Sequence, residues 1–201
     1  MNNATRVIVA TLGVVFGISG MSHGFFEALQ GNTPTGGMLI SAIGEVHRMW
    51  PHGNEYAFTL IPNFLVTGIL AMIVSLTIMI WSVGFVHKKN GPLIFLLLFI
   101  LLFLVGGGIA QIVFFTLTWA VSTRINKPLT WWRKVLPERG RRVLSKLWLW
   151  SLIAGSLLLV LVLEIATFGF VPGVNDPDLI LTIMLSSLGV GLGIFLLTFV
   201  A

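Results

Sequence analysis

Residues 92–122 read PLIFLLLFILLFLVGGGIAQIVFFTLTWAVS, 31 positions without a single charge. As one α-helix the segment would be about 46 Å long, too long for one comfortable crossing of a hydrocarbon core about 30 Å thick and too short for two. Either it crosses once as a single helix, or it turns at Gly106-Gly107-Gly108 and leaves by the face it entered. A continuous helix satisfies every backbone group internally, whereas a broken one needs protein or a water-filled cavity around the break. The single helix is therefore the expected form, and the number of crossings depends on it.

The rest of the chain is of the same kind. Of its 201 residues 56% are hydrophobic and 9% charged, with a mean hydropathy of +0.99, a composition that no water-soluble domain of this size sustains. Besides 92–122, uncharged or nearly uncharged runs of membrane-spanning length cover about 7–29, 57–86, 147–171 and 179–200. The expected fold is all-α: a polytopic transmembrane helix bundle of about five spans in a single integral membrane domain. Tryptophans 81, 119, 148 and 150 fall near span ends, where indole rings favour the headgroup boundary. Gly13, Gly17 and Gly20 suit close helix packing in a solvent that gives helices no hydrophobic reason to associate. Without cysteine, disulfides and thiolate metal sites are absent.

Eight of the twelve basic residues (Arg124, Lys127, Arg133, Lys134, Arg139, Arg141, Arg142 and Lys146) lie in the connection 123–146. A basic segment between spans is expected to face the cytoplasm, where Arg133, Lys134, Arg139, Arg141 and Arg142 would contact anionic lipid headgroups; nucleic acid is not an expected partner. With five alternating spans, nine basic residues fall on one side and three on the other (Arg6, Lys88, Lys89). That count predicts an N-terminus outside and a C-terminus inside, in a membrane expected to be a prokaryotic plasma membrane. If 92–122 turned back at its glycines, those three would instead join the basic side.

Away from the basic loop, polar residues concentrate in one stretch: His23, Glu27, Glu45, His47, Arg48, His52 and Glu55 lie within 33 positions. His23 and Glu27, four apart, share one helix face, so the carboxylate could fix the imidazole tautomer or share a metal with it. Leu39, Ile43, Val46 and Trp50 recur at helical spacing and predict a short interfacial amphipathic helix over about 38–50, ended by Pro51 and Gly53. Such a helix would fold His47 and His52 back over the end of the first span. Asn63, following Pro62, could face the same group. His23, Glu27, Glu45, His47, His52, Glu55 and Asn63 thus form the candidate ligand or proton site, and a divalent metal would take His23, Glu27, His47 and His52, although no strong metal-binding spacing such as HExxH is present.

Glu164 is a carboxyl inside the fourth span. Five spans would place it near the outer boundary, paired with Arg6, His87 or Lys88 and far from the histidines. These features favour a non-enzymatic membrane component, either an accessory subunit or a protein that binds or transports a small ligand or ion. The alternative is a metal-dependent membrane enzyme acting on a lipid or quinone-like substrate. Beyond the bilayer itself, a membrane protein partner or a second copy of the chain is the kind of partner such a surface suits.

Overall fold

A computed structural model describes residues 2–127 and 136–200, and the side chains of Arg141 and Val200 are outside that description. The element order is α1 (Asn3–Leu29), β1 (Leu39–Ser41), a 3-10 turn (Glu45–His47), β2 (Tyr56–Thr59), α2 (Phe64–Gly84), α3 (Gly91–Leu104), β3 (Val105–Gly108), α4 (Gln111–Ser122), α5 (Glu138–Phe168) and α6 (Pro177–Val200). Four helices (α1, α2, α5, α6) are long and apolar enough to cross a membrane, while α3 and α4 are short apolar helices.

The expected single helix over 92–122 is therefore two half-helices joined by a strand. At 1.5 Å per residue the 14-residue α3 and 12-residue α4 measure about 21 and 18 Å, each short of a full crossing. The cost of breaking the helix is met by pairing. Antiparallel β2 lies between β1 and β3, with Ala57 opposite Gly108 and Thr59 opposite Val105 across an irregularity in register. The Leu60 N–H donates to the Leu104 carbonyl (2.9 Å) and the Ile109 N–H to Tyr56 (3.1 Å), closing both ends of the break. The Thr67 hydroxyl donates to the Val105 carbonyl (2.7 Å) and bonds the Thr59 hydroxyl (2.6 Å), with both threonines buried. Protein thus surrounds the unwound backbone, which is the condition for tolerating it at membrane depth.

The same sheet replaces the expected interfacial helix over 38–50. Ile40 and Ala42 are buried while Leu39 is exposed, and Val46, expected on the buried face, is 93% exposed. Cross-strand pairing to β2 has overridden a helical spacing, and only the single turn Glu45–His47 is helical. The span expected over 57–86 is likewise shortened to α2. Its N-cap is Asn63, whose side chain accepts from the Val66 N–H (3.1 Å) and donates to Asn32 (2.7 Å). Asn63 is thus a helix cap and not a member of the polar group. At the other end of the chain, α5 starts nine residues before the expected 147, so Arg139, Arg142 and Lys146 stand on a helix instead of a loop; Arg133 and Lys134 lie outside the described residues.

Packing follows membrane logic. The face of α2 toward α1 is small and polar (Gly68, Ala71, Ser75, Ser82), and its outer stripe is large and apolar (Ile69, Ile73, Leu76, Ile80). A Cβ at Gly24 would stand only 2.6 Å from the Gly68 carbonyl oxygen, so these two helices approach backbone to backbone.

Contacts at the two ends of the bundle decide the topology. At one end the Asn2 N–H donates to the Ile125 carbonyl (2.7 Å), and Asn126 donates to the His87 carbonyl (2.9 Å). At the other, the Trp50 indole donates to the Ala166 carbonyl (2.9 Å), and His52 pairs with Asp178 (2.9 Å). The α3–α4 hairpin therefore enters and leaves by the end that holds Asn2, and α5 and α6 make one full round trip from it. Asn3 and Val200 share one end, which corrects the expectation of termini on opposite faces. Arg6, Lys88, Lys89, Arg124, Lys127, Arg139, Arg142 and Lys146 gather there. His87 beside them is held below its ordinary value by partial burial and by the charges of Arg6 and Lys88. The opposite end carries Glu27, Glu45, Glu55, Glu164, Asp176 and Asp178, with Arg48 its one basic residue among the described residues.

Candidate functional site

At the acidic end, the last turns of α1 present His23 and Glu27 to β3. Two of the three glycines of that segment, Gly106 and Gly108, are explained by this approach. A Cβ at Gly108 would stand 2.6 Å from the His23 ring, and one at Gly106, where φ is +108°, would overlap the Glu27 carboxylate. Glu27 is completely buried, and neither of its oxygens has a hydrogen-bond partner. His23, 5% exposed, is paired through Nε2 with Oε2 of Glu55, from the turn before β2. The expected His23–Glu27 pairing is thus replaced: Glu55 orients the imidazole, and Glu27 faces glycine backbone. Burial alone would raise the Glu55 carboxyl, but attraction to His23 and the hydrogen bond between them outweigh it and hold that carboxyl below its ordinary 4.5.

Beside this pair lies a cavity of about 550 Å³, bounded by α1, the turn before β2, the start of α4, and α5 and α6. Its walls are chiefly apolar, including Phe16, Phe114, Leu163 and Leu188. Glu55, Asn54, Ser19 and Gln111 form the polar part. Gln111 donates through Nε2 to the Ser19 hydroxyl (2.7 Å) and leaves its buried Oε1 without a partner. The Asn54 amide oxygen accepts from Ser41, which fixes the turn that carries Glu55. A second pocket of about 280 Å³ between α1 and α5 is lined by Ser22, His23, Glu55, Glu164 and Thr167. Ser19, Glu55 and Leu163 belong to both, so the His23–Glu55 pair stands where the two meet.

Glu164 is consequently at the acidic end with His23, not across the membrane beside Arg6, His87 and Lys88. The expected structural ion pair with those three is not formed.

The other expected residues disperse. Glu45 is exposed, and His47 sits in the 3-10 turn with no partner at Nδ1. His52 bonds Asp178 at the surface and stacks edge-on against Trp50, their ring centres 5.5 Å apart. Among the described residues no three His, Asp or Glu side chains stand close enough to hold a metal ion, so the expected set His23, Glu27, His47 and His52 is not assembled. The structure adds Gln111, Ser19, Asn54 and the glycines of β3. Their signal in the sequence was Gln111, three residues after the glycine triplet in an otherwise apolar run.

No protein-family model, curated protein or solved structure matches the chain.

Proposed function

We propose that this is a membrane-embedded binding protein, without catalytic activity of its own, that holds a lipophilic small molecule between α1, α4, α5 and α6, either as a carrier or as the ligand-binding subunit of a larger membrane assembly. The observation that carries this reading is the 550 Å³ cavity. Its size lies within the roughly 300–1,000 Å³ of small-molecule sites, and like them it has apolar walls with a few convergent polar groups. The lipophilic body would lie against Phe16, Phe114, Leu163 and Leu188, and its polar head would meet Glu55. The His23–Glu55 pair gives that head a hydrogen-bonding and proton-exchanging neighbour.

The positive-inside tendency assigns the basic end to the cytoplasm, with both chain ends inside and the cavity nearer the outer face. Arg139 and Arg142 are then the described residues best placed to contact anionic headgroups.

Saturable binding of radiolabelled decanol to the intact protein in phosphatidylcholine nanodiscs tests this function. Binding above that of empty discs is expected, with loss on filling the cavity by Leu163→Trp or Leu188→Trp. Uptake equal to that of empty discs, or unaffected by both variants, would reject it.

A further inference from the structure

The charge pattern identifies the class of ligand. Glu55 is the only acidic or basic side chain among the described residues lining the cavity, and His23, with which it pairs, borders the second pocket instead. Glu55 meets His23 through Oε2, one of its two carboxylate oxygens. Gln111, 5% exposed, lines the same space, and Phe16, Tyr56 and Phe114 contribute aromatic rings to it. A carboxylate and aromatic faces together suit a positive charge, because each presents negative potential. A carboxylate-headed lipid would meet Glu55 as a like charge.

The surroundings agree with the lining. Six of the seven acidic residues lie at the end of the bundle nearest the cavity, and Arg48 is the only basic residue described there. Such segregation draws cations toward one face and repels anions from it. The second pocket, between α1 and α5, is lined by Glu164 as well as by His23 and Glu55, and adds a second carboxyl beside the pair.

We infer that the ligand of this cavity is a lipophilic cation: an amine or quaternary ammonium group carrying an apolar chain or ring system. This inference rests on the reading of the cavity as a lipophile site and adds the charge of the head group.

The test compares three probes of equal chain length, decyltrimethylammonium, decanol and decanoate, bound to the whole protein in nanodiscs of zwitterionic phosphatidylcholine, with empty discs subtracted. The ammonium compound is expected to bind at least tenfold more tightly than decanol, with decanoate weakest. In Glu55→Gln the ammonium-to-alcohol ratio is expected to fall toward one. Should that variant fail to fold, Phe114→Leu, which removes an aromatic face and keeps an apolar side chain, provides a second variant in which the ratio drops. If decanol binds saturably but the ammonium compound binds no better, the charge assignment is overturned and the lipophile site stands. If no probe saturates, both fail. An ammonium preference that survives undiminished in folded Glu55→Gln also overturns the assignment, since the carboxylate would not be its source.

Discussion

Replacing Gly106 by alanine probes the device on which the fold turns. The residue sits at φ +108°, outside the left-handed helical region that non-glycine residues occasionally adopt, and strain of this kind costs about 1–3 kcal/mol. A Cβ there would also take the space of the Glu27 carboxylate, which is fully buried and has no solvent to retreat into. Taking about 2 kcal/mol for the backbone strain alone, and about 2–4 °C per kcal/mol for a chain of this size, the melting temperature should fall by roughly 4–8 °C. The overlap adds to that. The additional part disappears once the carboxylate is gone, so Gly106→Ala should cost less in a Glu27→Ala background than in the wild type. A double-mutant cycle read by thermal unfolding in detergent should then show coupling of about 1 kcal/mol or more between the two sites. A Gly106→Ala variant as stable as wild type, or equally costly in both backgrounds, would refute the packing of Glu27 against an unwound β3.

Other consequences follow from the same contacts. Because the chain has no cysteine, single cysteines at Lys89, Lys127 and Val46 can be labelled in intact cells or oriented vesicles with an impermeant maleimide. Lys89 and Lys127 should react from one side and Val46 from the other, whereas opposite sides for Lys89 and Lys127 would restore a continuous third span. Glu55 has a lowered carboxyl, so its stabilising contribution is present above about 4.5, its unfolded value, and is lost as pH falls through the lower folded value. The melting temperature should therefore drop on acidification below about pH 4.5, and Glu55→Gln should flatten that acid limb; an identical limb in the variant would contradict the pairing with His23. Trp50→Phe removes the buried indole bond to the Ala166 carbonyl and should cost about 1–2 kcal/mol, seen as a fall of a few degrees in melting temperature. No change would mean that Trp50 does not anchor the 44–53 segment to α5.

The helices of the bundle were legible because long apolar runs have few alternatives in a membrane. The break at Gly106 is visible in the sequence as a choice, but nothing in 92–122 itself shows that β2 satisfies the opened backbone. Hydropathy could not separate β2 from α2 either, because Ala57 and Phe58 belong to the same apolar run as Leu65 and Ile69. A single helix over 92–122 would put the residues after Ser122 at the other end of the bundle from where the α3–α4 hairpin puts them, and that is what pairs Glu164 with Arg6 instead of His23 in the sequence reading. Within the site, spacing of four correctly put His23 and Glu27 on one face of α1. The partner of His23 came from 32 residues away, through a sheet that the sequence pattern did not reveal. Once the hairpin is counted as re-entrant, the charges divide far more sharply than nine to three.

The most direct test of the proposed site is crystallographic: the protein grown with 10-bromodecyltrimethylammonium, with data collected at the bromine edge. An anomalous peak among Phe16, Phe114, Leu163 and Leu188, with the ammonium density beside Glu55, is the predicted result. Bromine found only along the outer stripes of α2 and α3, with the cavity containing no ligand density, would contradict it.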